Sequence, residues 1–256
     1  MFAIERQNRI KEILYKEKRV DVFDLSALFS VTEVTIRRDL DKLEQEGFLI
    51  KTYGGAVLNE EVVQKPVLSV TEDILIEEKR MIGKIASQMI EPGEAIFLGP
   101  GSTNIEIARN IKDKRVTIVT NDLLIAYDLK ESIGIKVIVT GGDLIQSTSI
   151  MVGGFALQAL SGIYINKAFV GVKGVNIDSG YTVDSYEEAM VIQEVKKISN
   201  EVIIVADYTK FNRTAFARLG DLNMAKKIIT NKQVPNEYKK FCFEHAIKLY
   251  TTFEFE

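Results

Sequence analysis

Ser30-Val31-Thr32-Glu33-Val34-Thr35-Ile36-Arg37-Arg38-Asp39-Leu40, continued by Asp41-Lys42-Leu43-Glu44-Gln45-Glu46-Gly47, reads as one helix with a marked start and stop. Thr32 suits the N-cap, because its hydroxyl can accept from an orphan N–H of the first turn; Glu33 sets negative charge at the positive end of the dipole. Gly47 suits the left-handed position that ends a helix. Ile36, Leu40 and Leu43 fall at i, i+4 and i+7 and form one apolar stripe. Val34, Arg38 and Lys42 lie opposite it, with Thr35 and Arg37 on the flanks. A short rod buried along one side and showing Thr and Arg on the other fits the major groove of B-DNA, where forked guanidinium donors meet guanine or phosphate. The plain alternative is a surface helix with a solvated charged face, and the neighbouring residues must decide.

Upstream, residues 3–18 form a helix candidate with Ile10, Ile13 and Leu14 on one face, and Val20 reads as a short extended piece. Asp21 can cap a second helix, Val22–Phe29, whose Val22, Leu25, Leu28 and Phe29 are spaced for burial. Ser30-Val31 makes the turn into the third helix. That layout is a helix-turn-helix, in which the last helix enters the groove. Beyond Gly47, two β-prone runs around Gly54-Gly55 suggest a hairpin wing whose Lys51 can touch phosphate. Residues 1–58 hold ten Lys/Arg against ten Asp/Glu, so DNA affinity must come from the placement of charge, since the domain as a whole is not basic.

Val31-Thr32-x-x-Thr35-Ile36-Arg37-Arg38-Asp39-Leu40, with Gly47 and Gly54-Gly55-Ala56 behind it, resembles the signature of the DeoR family of bacterial sugar-metabolism regulators. Tyr53 stands where that family usually has His, and Lys51 where it often has Arg. A phosphate contact from Lys51 is therefore a point charge rather than a fork.

The whole chain has 256 residues, 46% apolar and 27% charged, which suits a soluble globular protein of one large domain, or of a small one plus a medium one. No apolar run approaches the roughly 18 residues needed to span a bilayer. The charged N-terminus lacks the apolar core of a signal peptide, and the single cysteine, Cys242, fits a reducing cytoplasm. Boundaries are expected at 1–58 for the winged helix-turn-helix and 59–76 for a linker, in which Val67, Leu68 and Val70 could dock. An α/β domain then takes 77–256.

In that last part, apolar runs alternate with helix-length segments. Ala95–Leu98, Val116–Val119, Val137–Val139, Ala168–Val170, Val202–Val205 and Ile228–Ile229 read as buried strands. Glu77–Ile90, Asn104–Ile111, Asp122–Leu129, Gly154–Leu160, Glu187–Ser199 and Glu237–His245 read as helices. Short Val/Ile strands between helices mean a mostly parallel sheet covered on both faces, with ligands beyond the carboxyl ends of the strands. Gly99-Pro100-Gly101-Ser102-Thr103 leaves a strand and opens a helix. Its glycines, free N–H groups and two hydroxyls make an anion site, or else simply a strand-to-helix turn that needs glycine. Thr120-Asn121, Gly141-Gly142, Gly171-Val172-Lys173-Gly174, Asp184 with Glu187 and Glu188, and Asp207 with Lys210 fall at the same edge. Hydroxyl, amide, acid and Lys groups together argue for a polyhydroxylated, anionic small molecule.

Glu78-Lys79, the Gly99–Thr103 loop, Thr120-Asn121, Gly141-Gly142, Glu188-Ala189 and Ala206-Asp207-Tyr208-Thr209-Lys210-Phe211 resemble the DeoR-family sensor domain. That domain is similar in fold to ribose-5-phosphate isomerase and glucosamine-6-phosphate deaminase. The resemblance implies that Gly101-Ser102-Thr103 takes the phosphate of a sugar phosphate. Gly99-Pro100 replaces an Asp-Ser or Asp-Thr common in the family, and Ile192-Gln193 replaces a Lys-Arg pair, which leaves the sugar open. Lys173 reads equally as a phosphate contact or a solvated loop residue, and Lys210 as a ligand contact or a partner of Asp207. His245, the single histidine, reads as a surface residue rather than a catalyst, and Cys242 as a buried apolar one.

The resulting expectation is a DNA-binding regulator, most simply a cytoplasmic repressor of a sugar-metabolism operon, without cofactor, metal or catalytic residues. Thr32, Val34, Thr35, Arg37, Arg38, Lys42 and Lys51 would meet double-stranded operator DNA. Gly99, Gly101, Ser102, Thr103, Asn121, Gly141, Gly142, Lys173, Glu188, Asp207 and Lys210 would meet a phosphorylated sugar. A homodimer or homotetramer is expected, because one winged helix reads too few base pairs for a specific operator. Two alternatives remain. A sugar-phosphate isomerase or deaminase would use Glu188, Glu187, Asp184 or Asp207 as base. A nucleotide or coenzyme A binder would use Gly99–Thr103, although that loop lacks the Gly-x-Gly-x-x-Gly pattern.

Overall fold

A computed structural model describes residues 3–45, 47–59, 75–146 and 148–251. The chain divides into two compact units, Met1–Thr71 and Glu72–Glu256. The expected linker, with Val67, Leu68 and Val70, falls almost wholly outside the described residues, as does Glu46.

The first unit runs α1 (Ala3–Glu17), β1 (Arg19–Asp21), α2 (Val22–Phe29), α3 (Glu33–Gln45), β2 (Leu49–Lys51) and β3 (Gly55–Leu58). Its caps are the ones the sequence offers. The Phe23 N–H donates to Asp21 Oδ1 at 2.8 Å, and the Thr35 N–H reaches Thr32 Oγ1 at 3.4 Å. Gly47, at φ 77°, stops α3. Ile36, Leu40 and Leu43 pack on Ile10, Leu14, Val22, Leu25, Phe29 and Leu49, each contributing about 1.5–3 kcal/mol by burial. The expected burial of Leu28 fails, since it is 64% exposed. At about 100° per residue it lies a quarter-turn from the centre of the Val22–Leu25–Phe29 stripe. β3 pairs antiparallel with both β1 and β2, which gives the wing.

Asp39, inside the Arg-rich run, is buried rather than exposed. It accepts from Arg6 Nε at 2.6 Å and from Gln7 Nε2 at 2.7 Å, tying α1 to the inner side of α3.

The second unit opens with α4 (Ile76–Gln88), β4 (Ala95–Leu98), α5 (Ser102–Arg109), β5 (Val116–Thr120), α6 (Leu123–Leu129) and β6 (Ile135–Val139). A small hairpin follows, β7 (Asp143–Leu144) and β8 (Met151–Val152), and then α7 (Gly154–Leu160) and β9 (Ile165–Gly171). Next come β10 (Gly174–Asn176), β11 (Gly180–Val183), α8 (Tyr186–Ile198), β12 (Ser199–Val205), β13 (Ala217–Gly220), β14 (Lys227–Thr230), α9 (Asn236–Glu244) and β15 (Lys248–Thr251). The main sheet has the order β15-β14-β12-β9-β4-β5-β6 and is parallel throughout. It carries one strand more than the sequence reading found, because β15 is a half-buried edge strand with few β-branched residues. The small antiparallel sheet β10-β11-β13 was also not foreseen.

Side chains alternate across the sheet. Phe97, Ala168, Val170 and Ile204 join the core beneath α7, α8 and α9. Ile96, Leu98, Phe169, Ile203 and Val205 join the core beneath α4, α5 and α6. Both faces are dry, so polar chemistry is left to the carboxyl edge. There β4, the first strand, has β5 on one side and β9 on the other. This reversal of strand order opens a crevice between β4 and β9.

Candidate functional site

In the first unit, α3 turns Thr32, Val34, Arg37, Arg38 and Lys42 to solvent and leaves Thr35 half-buried. The Thr32 and Thr35 hydroxyls lie 3.0 Å apart. Arg37 Nη2 stands 3.2 Å from Glu33 Oε2, one turn back, whereas Arg38 makes no ion pair among the described residues. The wing is fastened to the same helix. The Lys51 N–H donates to Glu44 Oε1 at 3.0 Å, and its ammonium binds the Asp41 carboxylate. That bond raises the Lys51 pKa above the ordinary lysine value. Tyr53, at the wing tip, is fully exposed.

In the second unit a cleft of about 140 Å³ opens at the β4–β9 crevice. It is lined by Lys79, Pro100, Gly101, Ser102, Thr103, Gly171, Val172, Lys173, Glu188, Val205, Ala206, Asp207 and Lys210. Its size is below the roughly 300 Å³ at the lower end of drug-sized sites. That is small for a nucleotide.

One end of the cleft is the β4–α5 loop. Gly101 adopts φ 114° and ψ 159°, a region essentially reserved for glycine. The Ser102 and Thr103 N–H groups begin α5 and have no partner inside it. The Gly101 N–H already donates to Asp122 Oδ2 at 3.1 Å. Lys79, from α4, reaches Ser102 Oγ with its ammonium at 3.0 Å. Beneath the loop, Asn104 is fully buried with neither side-chain polar atom hydrogen-bonded. β-carbons added at Gly99 and Gly171 would stand 3.6 Å and 3.5 Å from its Nδ2, which places it between β4 and β9.

The opposite wall is acidic. Asp207, 1% exposed, caps the turn Tyr208–Lys210 through Oδ1, which accepts from the Thr209 N–H at 3.0 Å. Its Oδ2 has no hydrogen bond, and Lys210 Nζ lies 3.8 Å away. Glu188 is buried in the first turn of α8. Burial pushes its carboxyl up to about 7, against the lowering pull of Lys173; Asp184 and Asp122 push it further up. Lys173 sits 3.4 Å from Asp184.

Of the residues singled out in the sequence, the cleft gathers Gly101, Ser102, Thr103, Lys173, Glu188, Asp207 and Lys210. Gly99 stands just behind the lining, its N–H bonded to the Phe169 carbonyl. Asn121, Gly141 and Gly142 are not among the lining residues. Asn121 Nδ2 donates to the Met151 carbonyl and ties the β7–β8 hairpin to β5. The sequence reading passed over Lys79 and Asn104 as site residues. Glu78-Lys79 stood in a matched segment, whereas nothing in the spacing marked Asn104.

The DeoR-like helix-turn-helix domain matches residues 6–62, and the DeoR C-terminal sensor domain matches residues 75–232. The chain is 32% identical to a putative aga operon transcriptional repressor of Escherichia coli O157:H7, over 90% of this chain and 87% of that one. It is 27% identical to the glycerol-3-phosphate regulon repressor of Escherichia coli K12, over 97% and 99%. The ribose 5-phosphate isomerase A of Methanocaldococcus jannaschii aligns at 16% identity and a TM-score of 0.40, over 54% of this chain and 55% of that one.

Proposed function

The chain belongs to the DeoR family of DNA-binding transcriptional regulators, and on that premise we propose that it represses a sugar-metabolism operon and is modulated by a phosphorylated sugar held in its second unit. It is a regulator, not an enzyme. We assign the operator to residues 1–58, the sensing to 77–256 and the connection to 59–76. Val34, Arg37, Arg38 and Lys42 would enter the major groove, with Thr32, Thr35 and Lys51 at the phosphates. The effector's phosphate would sit on Gly101, Ser102, Thr103 and Lys79. Asp207, Glu188, Lys173 and Lys210 would take its hydroxyls, since carboxylates bind them as readily as they accept protons.

One observation carries the effector reading. The cleft sets a helix N-terminus and a buried ammonium at one end and, at the other, a buried carboxylate oxygen with no hydrogen bond, 3.8 Å from the Lys210 ammonium. The relative named for a glycerol-3-phosphate regulon supports a phosphorylated effector. No helix among the described residues is long and apolar enough to cross a membrane. A regulator with one winged helix per chain would work in the cytoplasm as a dimer or tetramer on paired half-sites.

Thermal-shift screening against sugar phosphates and the matching free sugars tests the reading, because a ligand of the native state alone raises stability by mass action. A rise with the phosphorylated members only is expected. Equal stabilisation by the free sugars would overturn the phosphate assignment.

A further inference from the structure

The first turn of α4 is fastened to both sides of the cleft. On one side the Lys79 ammonium donates to Ser102 Oγ at 3.0 Å. On the other the Glu78 carbonyl accepts from Asn231 Nδ2 at 3.2 Å. Asn231 Oδ1 in turn accepts from the N–H of Tyr208, the residue after Asp207. Ser102 follows β4 and Asn231 follows β14, with β9 and β12 between them in the sheet. This single turn therefore runs along the carboxyl edge from the anion loop to the acidic wall.

Its own start is weak, because Leu75 stands at the N-cap and has no side chain able to accept an N–H. Further along, α4 is pinned. A β-carbon at Gly83 would come within 2.7 Å of the Glu106 carbonyl carbon, so the body of α4 sits hard against α5. The chain arriving from the first unit, residues 60–74, runs directly into the first turn of α4.

We propose that Glu78 and Lys79 relay occupancy of the cleft to that connection. The proposal rests on the phosphate reading above and adds the route by which binding is passed on. An anion at the Ser102 N–H offers Lys79 a stronger, charge-assisted partner than the Ser102 hydroxyl. A ligand hydroxyl on Asp207 acts on Tyr208 and, through Asn231, on the Glu78 carbonyl. The turn is ordered only when it is held at both ends, Lys79 on the anion and the Glu78 carbonyl on Asn231, because its stability is set locally rather than by the fold as a whole.

Amide hydrogen exchange on the full chain, with inorganic phosphate against chloride of equal ionic strength, reads this directly. In the wild type, phosphate slows exchange both at residues 101–105 and at residues 79–82. Asn231 does not line the cleft, so Asn231→Ala retains the loop protection and loses that of the turn. Asn231→Asp keeps an acceptor for the Tyr208 N–H and lacks the donor to Glu78, and it behaves the same way. Turn protection that survives in both variants overturns the relay, as does a wild type in which the loop alone responds. A wild type whose loop does not respond removes the phosphate reading itself, a result distinct from the other two.

Discussion

Arg6 Nε lies 2.6 Å from Asp39 Oδ2, with both side chains buried. Asp39 follows Arg37 and Arg38 directly, so drawing its carboxylate inward fixes the rotation of α3 and turns the two arginines outward. Removing one partner of a buried pair costs about 3–5 kcal/mol, whereas replacing both by apolar groups costs far less. Asp39→Ala should destabilise the first unit by that amount in urea unfolding, and Arg6→Met with Asp39→Leu by less. A single mutant of wild-type stability would show that the pair does not set the helix.

Arg38→Ala should leave the melting temperature unchanged, since the side chain is exposed and pairs with no carboxylate among the described residues. Operator affinity should fall about 10- to 100-fold in gel retardation, the cost of a lost base contact. Lys42→Ala should weaken all sequences alike and lower the salt slope by about one. Unchanged retardation by both variants would remove α3 from the groove.

Gly101→Ala places a β-carbon on a backbone at φ 114°, a strain of about 1–3 kcal/mol. The loop should relax and the stabilisation by sugar phosphate should vanish, while retardation of operator DNA persists. Ser102→Ala should likewise abolish the response to inducer without abolishing DNA binding. A full response in both would place the anion elsewhere.

Glu188 gives the protein a pH dependence of known sign. Its carboxyl is raised from 4.5 to about 7 in the fold, chiefly by burial. Between those values the folded chain keeps a proton that the unfolded chain releases. Stability is therefore greatest below the unfolded value and declines as pH rises through about 7, by about 3 kcal/mol in all. Melting temperatures from about pH 5 to about pH 8 should fall in the wild type and flatten in Glu188→Gln. An anion in the cleft favours the neutral carboxyl, so phosphate binding should weaken over the same rise.

The sequence made the first unit legible almost residue by residue, because caps and stripes are local. Asp21, Thr32 and Gly47 could be read from their neighbours. Leu28 misled because a two-turn helix gives too few positions to centre its buried stripe. Asp39 was hidden, since its partner Arg6 lies thirty-three residues away. In the second unit the parallel strands announced themselves as Val/Ile runs, whereas β15 and the β10-β11-β13 sheet did not. The anion loop was visible as a glycine-rich exit from a strand. Asn104 was not, since its burial depends on β9, far along the chain, closing over it. Asn121 has the right residue type at the right edge, and its Nδ2 donates to the Met151 carbonyl while its buried Oδ1 has no hydrogen bond.

The carboxylates that grip Lys51 and Arg37 have a consequence for how the protein searches a genome. A phosphate reaching either cation competes with Asp41 or Glu33, which are part of the protein and cannot diffuse away. Their departure yields none of the entropy that free counterions supply when they leave a polyanion. If these two cations meet DNA, association with arbitrary sequence would thereby be kept short, and residence reserved for sites where base edges add what the backbone alone withholds.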